Sequence, residues 1–201
     1  MNAVRPQQDA ATASADRPRP ARIFAAVKTA PEIADALARM ARSLERYPVR
    51  LVAPADIHLT LVPPWNEVSI SDAVEKIRRV ADQSDPFALT FQHIGYGPDP
   101  RRPRLLWAEC AAGQEITELQ AALLLAFGQT DERQFRPHVT LARLRGNGAA
   151  IARKHLIDQT LSLAQQVASI ELMQSPLPGE RGYKILASLR LGKSRKMLSD
   201  I

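Results

Sequence analysis

The chain has 201 residues, 45% hydrophobic and 24% charged, and a formal net charge of +6. This suits one ordinary domain or two intimately packed small lobes, and it excludes a disulfide mini-scaffold, a collagen-like chain and wholesale disorder. The longest apolar run, Ala121 to Phe127, falls far short of the roughly 18 residues of a membrane span, residues 1–22 lack the apolar centre of a secretory signal, and Cys110 is the single cysteine, so a cytoplasmic, membrane-free protein is expected.

Residues 1–21, with Arg5, Pro6, Arg17, Pro18, Arg19 and Pro20, read as a disordered basic tail. Ile23 to Val27 then reads as a buried strand. Pro31 opens a helix carrying Ile33, Leu37, Met40, Ala41 and Leu44 at helical spacing, and Tyr47-Pro48 ends it. Val49 to Ala53 and Ile57 to Val62 are expected as short strands. Ser69 or Ser71 caps a helix with Val74, Ile77 and Val80 on one face, and Phe87 to Ile94 follows as a strand before a loop over residues 95–103. The order then repeats: strand Leu105 to Cys110, helix Gln114 to Phe127, strand His138 to Leu144, helix Ala149 to Leu163, strand Val167 to Met173. Residues 183–191 form a closing strand, and 192–201 a second basic tail.

This punctuation predicts an α+β protein with a bilobal, pseudo-twofold duplicated fold over residues 22–191. The first repeat spans about 22–97 and the second about 104–175, each lobe a mostly antiparallel sheet packed with helices, with a cleft between them. Most of the net positive charge sits in the two ends, and the body between them is near neutral. Charge alone therefore does not identify a nucleic-acid surface.

The chemistry recurs at matching places. His58-Leu59-Thr60-Leu61 and His138-Val139-Thr140-Leu141 share one pattern, His-apolar-Thr-apolar. Side chains alternate faces along a strand, so each His points the same way as its Thr while the apolar pair enters the core. Lobes facing each other across a cleft would gather two imidazoles and two hydroxyls around one small site. In-line displacement at phosphorus needs one group to take a proton from the nucleophile and another to protonate the leaving oxygen. Histidine serves both tasks near neutral pH, Thr60 and Thr140 donate to the non-bridging oxygens, and the scheme needs neither metal nor cofactor.

With these motifs the sequence resembles the two-histidine phosphoesterases, specifically the bacterial and archaeal RNA 2′,3′-cyclic phosphodiesterases, also called 2′-5′ RNA ligases. The resemblance runs from about Arg22 to Leu191. Its most specific segment is Phe135-Arg136-Pro137-His138-Val139-Thr140-Leu141-Ala142-Arg143, supported by Ile57 to Leu61, Asp85-Pro86-Phe87, Arg101 to Trp107, Ser175 and Gly182-Tyr183. It implies a cleft that opens a terminal 2′,3′-cyclic phosphate to a 2′-phosphate and supports 2′-5′ ligation in vitro. By position, His58 would protonate the departing 3′-oxygen, His138 would activate water, Thr60 and Thr140 would hold the phosphate, and Arg143 would add a cationic contact.

Where the family continues its first motif with a Phe-Leu-Gly-like segment, this chain has Val62-Pro63-Pro64-Trp65. Trp65 is thus a candidate substrate contact, stacking on a base or ribose. His93 reads as a structural strand residue, His155 as an exposed helix residue, and Cys110 as a buried strand residue. The substrate is expected to be an RNA end or a cyclic nucleotide, and the protein a monomer. Two alternatives stay open: a non-catalytic RNA-binding module, or a phosphodiesterase acting on a small cyclic nucleotide or another phosphodiester.

Overall fold

The computed structural model describes residues 19–130 and 134–192, so most of both predicted tails lies outside the described residues. The elements follow as β1 (Ala21–Lys28), α1 (Pro31–Ala41), β2 (Val49–Leu51), β3 (His58–Glu67), α2 (Ile70–Ala81), β4 (Phe87–Gly97), β5 (Leu105–Cys110), α3 (Gln114–Ala126), β6 (His138–Leu144), α4 (Gly148–Lys154), β7 (Gln159–Val167), β8 (Ser169–Gln174) and β9 (Lys184–Arg190). This is the expected α+β class. No helix among the described residues is long and apolar enough to cross a membrane.

Local chemistry explains the helix starts. Pro31 sits at the first turn of α1, where its missing N–H costs nothing. Ser69, rather than Ser71, caps α2: its Oγ accepts from the Asp72 N–H at 3.3 Å. Both helices bury one stripe, Ile33, Ala34, Leu37 and Ala41 on α1 and Ala73, Ile77 and Ala81 on α2.

The strands form one antiparallel sheet in the order β7-β4-β5-β6-β3-β1-β8-β9, with β2 added beside β6. The β6–β3 junction divides that order into matching runs, β6-β5-β4-β7 outward on one side and β3-β1-β8-β9 on the other. These runs exchange strands between the sequence halves. β4 lies beside β5 and β7, and β8 lies beside β1 and β9.

At the junction, β3 and β6 are in register at Leu59↔Val139. Further along β6, β2 takes its edge at Ala142, Arg143 and Leu144. The motif strands therefore meet beside their histidines and then part.

β1 is buried on both faces. Ile23, Ala25 and Val27 enter the main core, whereas Phe24 and Ala26 join Met173 in a second cluster against Tyr183. Burying a side chain the size of Phe24 stabilises the fold by about 1.5–3 kcal/mol. That second cluster forms the floor beneath His58.

Two stretches differ from the sequence expectation. The helix expected over Ala149 to Leu163 ends at Lys154, and residues from Gln159 form β7. Asn147 caps α4 through its Oδ1 and the Ala150 N–H at 3.0 Å, but Leu156, which a longer helix would bury, is 77% exposed. From Leu161 the apolar spacing shifts to a period of two, and the strand pairs with β4 from Val167↔Phe87 to Gln159↔Ile94. Second, β3 runs through Pro63 and Pro64 to Glu67. The prolines fall at the register shift between Ala25↔Val62 and Ile23↔Trp65, beyond the pairing with β6, so their missing N–H groups interrupt little of the ladder.

Candidate active site

The two tetrapeptides are placed alike. In each, the His and Thr are half-buried while the apolar residues between and after them are buried. His58 and Thr60 lie opposite Lys28 and Ala26 of β1, and His138 and Thr140 lie opposite Glu109 and Trp107 of β5. Alternation thus delivers both pairs to one side of the sheet, where they line a cavity of about 50 Å³ with Val52, Asp56, Arg143 and Tyr183.

One device aims both imidazoles. His58 Nδ1–H donates to the carbonyl oxygen of Asp56 at 2.7 Å, and His138 Nδ1–H donates to that of Arg136 at 2.7 Å. Each acceptor is two residues upstream of its histidine. This geometry suits the Nδ1–H tautomer and leaves Nε2 for chemistry.

Aromatic contacts fix the ring planes. His58 lies against Phe24 at 4.9 Å and meets Tyr183 edge-on at 4.9 Å. His138 lies 4.4 Å from Trp107, and the Arg136 guanidinium also lies over the Trp107 ring. Arg136 is itself tied to Glu109 by a 2.6 Å ion pair.

Burial pushes both imidazoles below the ordinary value of 6.5, and the hydrogen bonds to Asp56 and Arg136 only partly oppose it. The charge of Arg143 lowers both, which places that guanidinium within electrostatic reach of each ring. The Thr60 and Thr140 hydroxyls have no hydrogen-bond partner among the described residues, so both are available to a ligand. The site offers two imidazole nitrogens, two hydroxyl donors and one cation around a space the size of a small anion.

Of the residues expected from sequence, His58, Thr60, His138, Thr140 and Arg143 come together here, and Trp65 does not. Its indole packs on Phe127 at 4.4 Å and donates from Nε1 to Glu67 at 3.1 Å. Five residues beyond Thr60 on a strand, it lies about 16 Å along the chain, outside this cavity. His93 and His155 also lie elsewhere. His93 pairs with Asp158, and His155, just past α4, bonds Ser43 and stacks on Tyr47.

Sequence reasoning did not place Asp56 or Tyr183 in the site. Asp56 Oδ1 accepts from the Tyr183 N–H at 3.0 Å, which brings the segment before β9 onto His58. Gly182-Tyr183 stands out in the sequence as a pair, but its partner lies 127 positions away and only the fold joins them.

Comparison with known proteins shows the family and the fold. A family model for the 2′-5′ RNA ligase superfamily matches residues 29–176. A protein of Aeropyrum pernix named RNA 2′,3′-cyclic phosphodiesterase is 30% identical over 173 residues, covering 80% of this chain and 98% of its own length. One of the same name from Bacillus subtilis is 33% identical over 98 residues, covering 46% of this chain and 54% of its own. Among solved structures, TT0787 of Thermus thermophilus superposes with a TM-score of 0.71 at 24% identity, covering 86% of this chain and 99% of that one. LigT of E. coli complexed with 3′-AMP superposes at 0.68 and 22% identity, covering 86% and 98%.

Proposed function

The chain belongs to the 2′-5′ RNA ligase superfamily, and from that premise we propose that it hydrolyses a terminal RNA 2′,3′-cyclic phosphate to a 2′-phosphate. The observation that carries this reading is the convergence of one imidazole from each motif, its Nδ1 engaged by a backbone carbonyl, on a cavity of about 50 Å³ with Thr60, Thr140 and Arg143 on its wall.

In the proposed reaction, His138 Nε2 takes a proton from water as the water oxygen bonds to phosphorus. The P–O3′ bond breaks on the opposite side, and His58 Nε2 delivers its proton to the departing 3′-oxygen. The hydroxyls of Thr60 and Thr140 and the Arg143 guanidinium meet the non-bridging oxygens, where negative charge concentrates. His58 ends neutral and His138 protonated, and exchange with solvent restores both. A 5′-hydroxyl in place of water would yield a 2′-5′ phosphodiester by the same steps. None of these steps uses a metal ion. We further propose that the protein acts as a cytoplasmic monomer.

The test is hydrolysis of an RNA oligonucleotide ending in 2′,3′-cyclic phosphate, in chelator, with the product isomer resolved, by wild type and His138→Ala. The proposal expects a 2′-phosphate from wild type and at least about 10²-fold less from the variant. Loss of activity in chelator, restored by a divalent ion, would contradict the metal-free scheme. No turnover by folded wild type, with RNA affinity retained, would favour a binding module.

A further inference from the structure

A second, larger hollow of about 660 Å³ opens directly onto the catalytic cavity and shares Val52, Asp56, Arg143 and Tyr183 with it. Its walls carry four arginines from three separate parts of the chain: Arg50 on β2, Arg143 on β6, Arg145 just past β6, and Arg181 in the segment before β9. Among the described residues, none of the four guanidinium groups has an ion-pair or hydrogen-bond partner. Two carboxylates also line the groove, but each has a backbone partner: Asp56 accepts from the Tyr183 N–H and Glu180 from the Leu177 N–H.

Arg50 and Arg143 sit directly opposite each other in the β2–β6 register. Like charges at such a pair of positions repel and destabilise a sheet unless something neutralises them. Arg143 and Arg145 are two residues apart, about 7 Å at strand rise, so positive charge continues along the groove away from the imidazoles. One phosphate, held in the cavity by Arg143, does not use Arg50, Arg145 and Arg181.

We propose that this groove holds the single-stranded RNA 5′ to the reacting nucleotide, with Arg50, Arg145 and Arg181 contacting successive backbone phosphates, so that the enzyme selects oligonucleotide ends over cyclic mononucleotides. The inference rests on the proposed phosphodiesterase reading and names its substrate. Phosphate contacts by arginine position a strand irrespective of its bases, so the preference is for length rather than sequence.

The test compares wild type with the triple variant Arg50→Gln/Arg145→Gln/Arg181→Gln, whose substituted side chains are all exposed. Each is assayed on an RNA oligonucleotide ending in 2′,3′-cyclic phosphate and on a 2′,3′-cyclic mononucleotide, over a range of salt concentrations. The groove predicts that the variant loses about tenfold or more in kcat/KM on the oligonucleotide, while the mononucleotide value stays within about twofold. Losing three phosphate contacts should also flatten the salt dependence of the oligonucleotide reaction by about two units of log–log slope. An unchanged oligonucleotide-to-mononucleotide ratio and salt slope would overturn the groove. If wild type turns over neither substrate, the phosphodiesterase reading falls separately. Fluorescence anisotropy of the same oligonucleotide carrying a 3′-phosphate then decides the groove: weaker, less salt-dependent binding by the triple variant supports it, and equal binding overturns it.

Discussion

The indole of Trp107 lies 4.4 Å from the imidazole of His138, centroid to centroid, and it also rests against the backbone of Gly97. A Cβ at Gly97 would overlap the indole ring, so glycine at that position is what lets Trp107 take its place beside the histidine. Gly97→Ala should therefore displace Trp107 and misalign His138. The expected result is a fall in kcat of about tenfold or more with little change in KM, together with a shift in tryptophan emission. Wild-type kcat with an altered emission spectrum would separate Trp107 from catalysis.

Activity should peak on the acid side of the ordinary histidine range. Catalysis needs one imidazole protonated and one neutral, and burial lowers the pKa of both. The pair's two apparent values then bracket an optimum of kcat/KM below pH 6.5. A bound phosphate anion favours the protonated form, so the kcat profile should lie to the alkaline side of the kcat/KM profile. Parallel pH–rate curves for both parameters check the displacement.

The same shifts link pH to stability. Each folded pKa lies below its unfolded value, so the stability these rings contribute is complete above about pH 6.5 and is lost as pH falls through the folded values. Melting temperatures measured from pH 8 to pH 5 should fall less steeply for a His58→Gln/His138→Gln variant than for wild type.

Trp65 should matter to folding and not to turnover. Its ring packs on Phe127 and its Nε1–H is satisfied by Glu67. Trp65→Ala is expected to cost about 1–3 kcal/mol of unfolding free energy through the packing it loses, while kcat on the cyclic-phosphate oligonucleotide stays within about twofold. Urea titration and steady-state kinetics on one preparation separate the two effects.

Gln165 ties the sheet's outer strand to the segment after β1. Its Nε2 donates to the Lys28 carbonyl at 2.9 Å and its Oε1 accepts from the Ala30 N–H at 2.8 Å. Gln165→Ala removes both bonds and leaves two part-buried backbone groups without them. A loss of about 1–3 kcal/mol in denaturant unfolding is expected, and no change would mean that water replaces the amide at no cost.

The catalytic constellation was legible because alternation is local: once His58 and His138 are on strands, Thr60 and Thr140 must share their faces, and Leu59 and Val139 must enter the core. The strand exchange was not legible. β4 leaves its own sequence half to pair with β5 and β7, and those pairings depend on contacts that no short window contains. The same holds for Tyr183, which reaches His58 only when Asp56 binds its N–H. The stretch from Ala149 to Leu163 misled for a different reason. Ile151, Leu156, Ile157 and Leu161 loosely fit a helical period, and pairing of β7 with β4 overrode it. Trp65 stood out by composition, and its neighbour Phe127 is the residue that caps the end of α3.

The division of labour between the two imidazoles is tested most directly by changing the leaving group. A 2′,3′-cyclic phosphate analogue with sulfur in place of the 3′-oxygen needs no proton to depart, because a thiol is far more acidic than an alcohol. Measured as kcat/KM, His58→Ala should recover most of the wild-type rate on this analogue while His138→Ala stays inactive, since water must still be deprotonated. Rescue of His138→Ala but not His58→Ala would reverse the assigned roles, and equal defects of both variants on both substrates would contradict the acid–base pair itself.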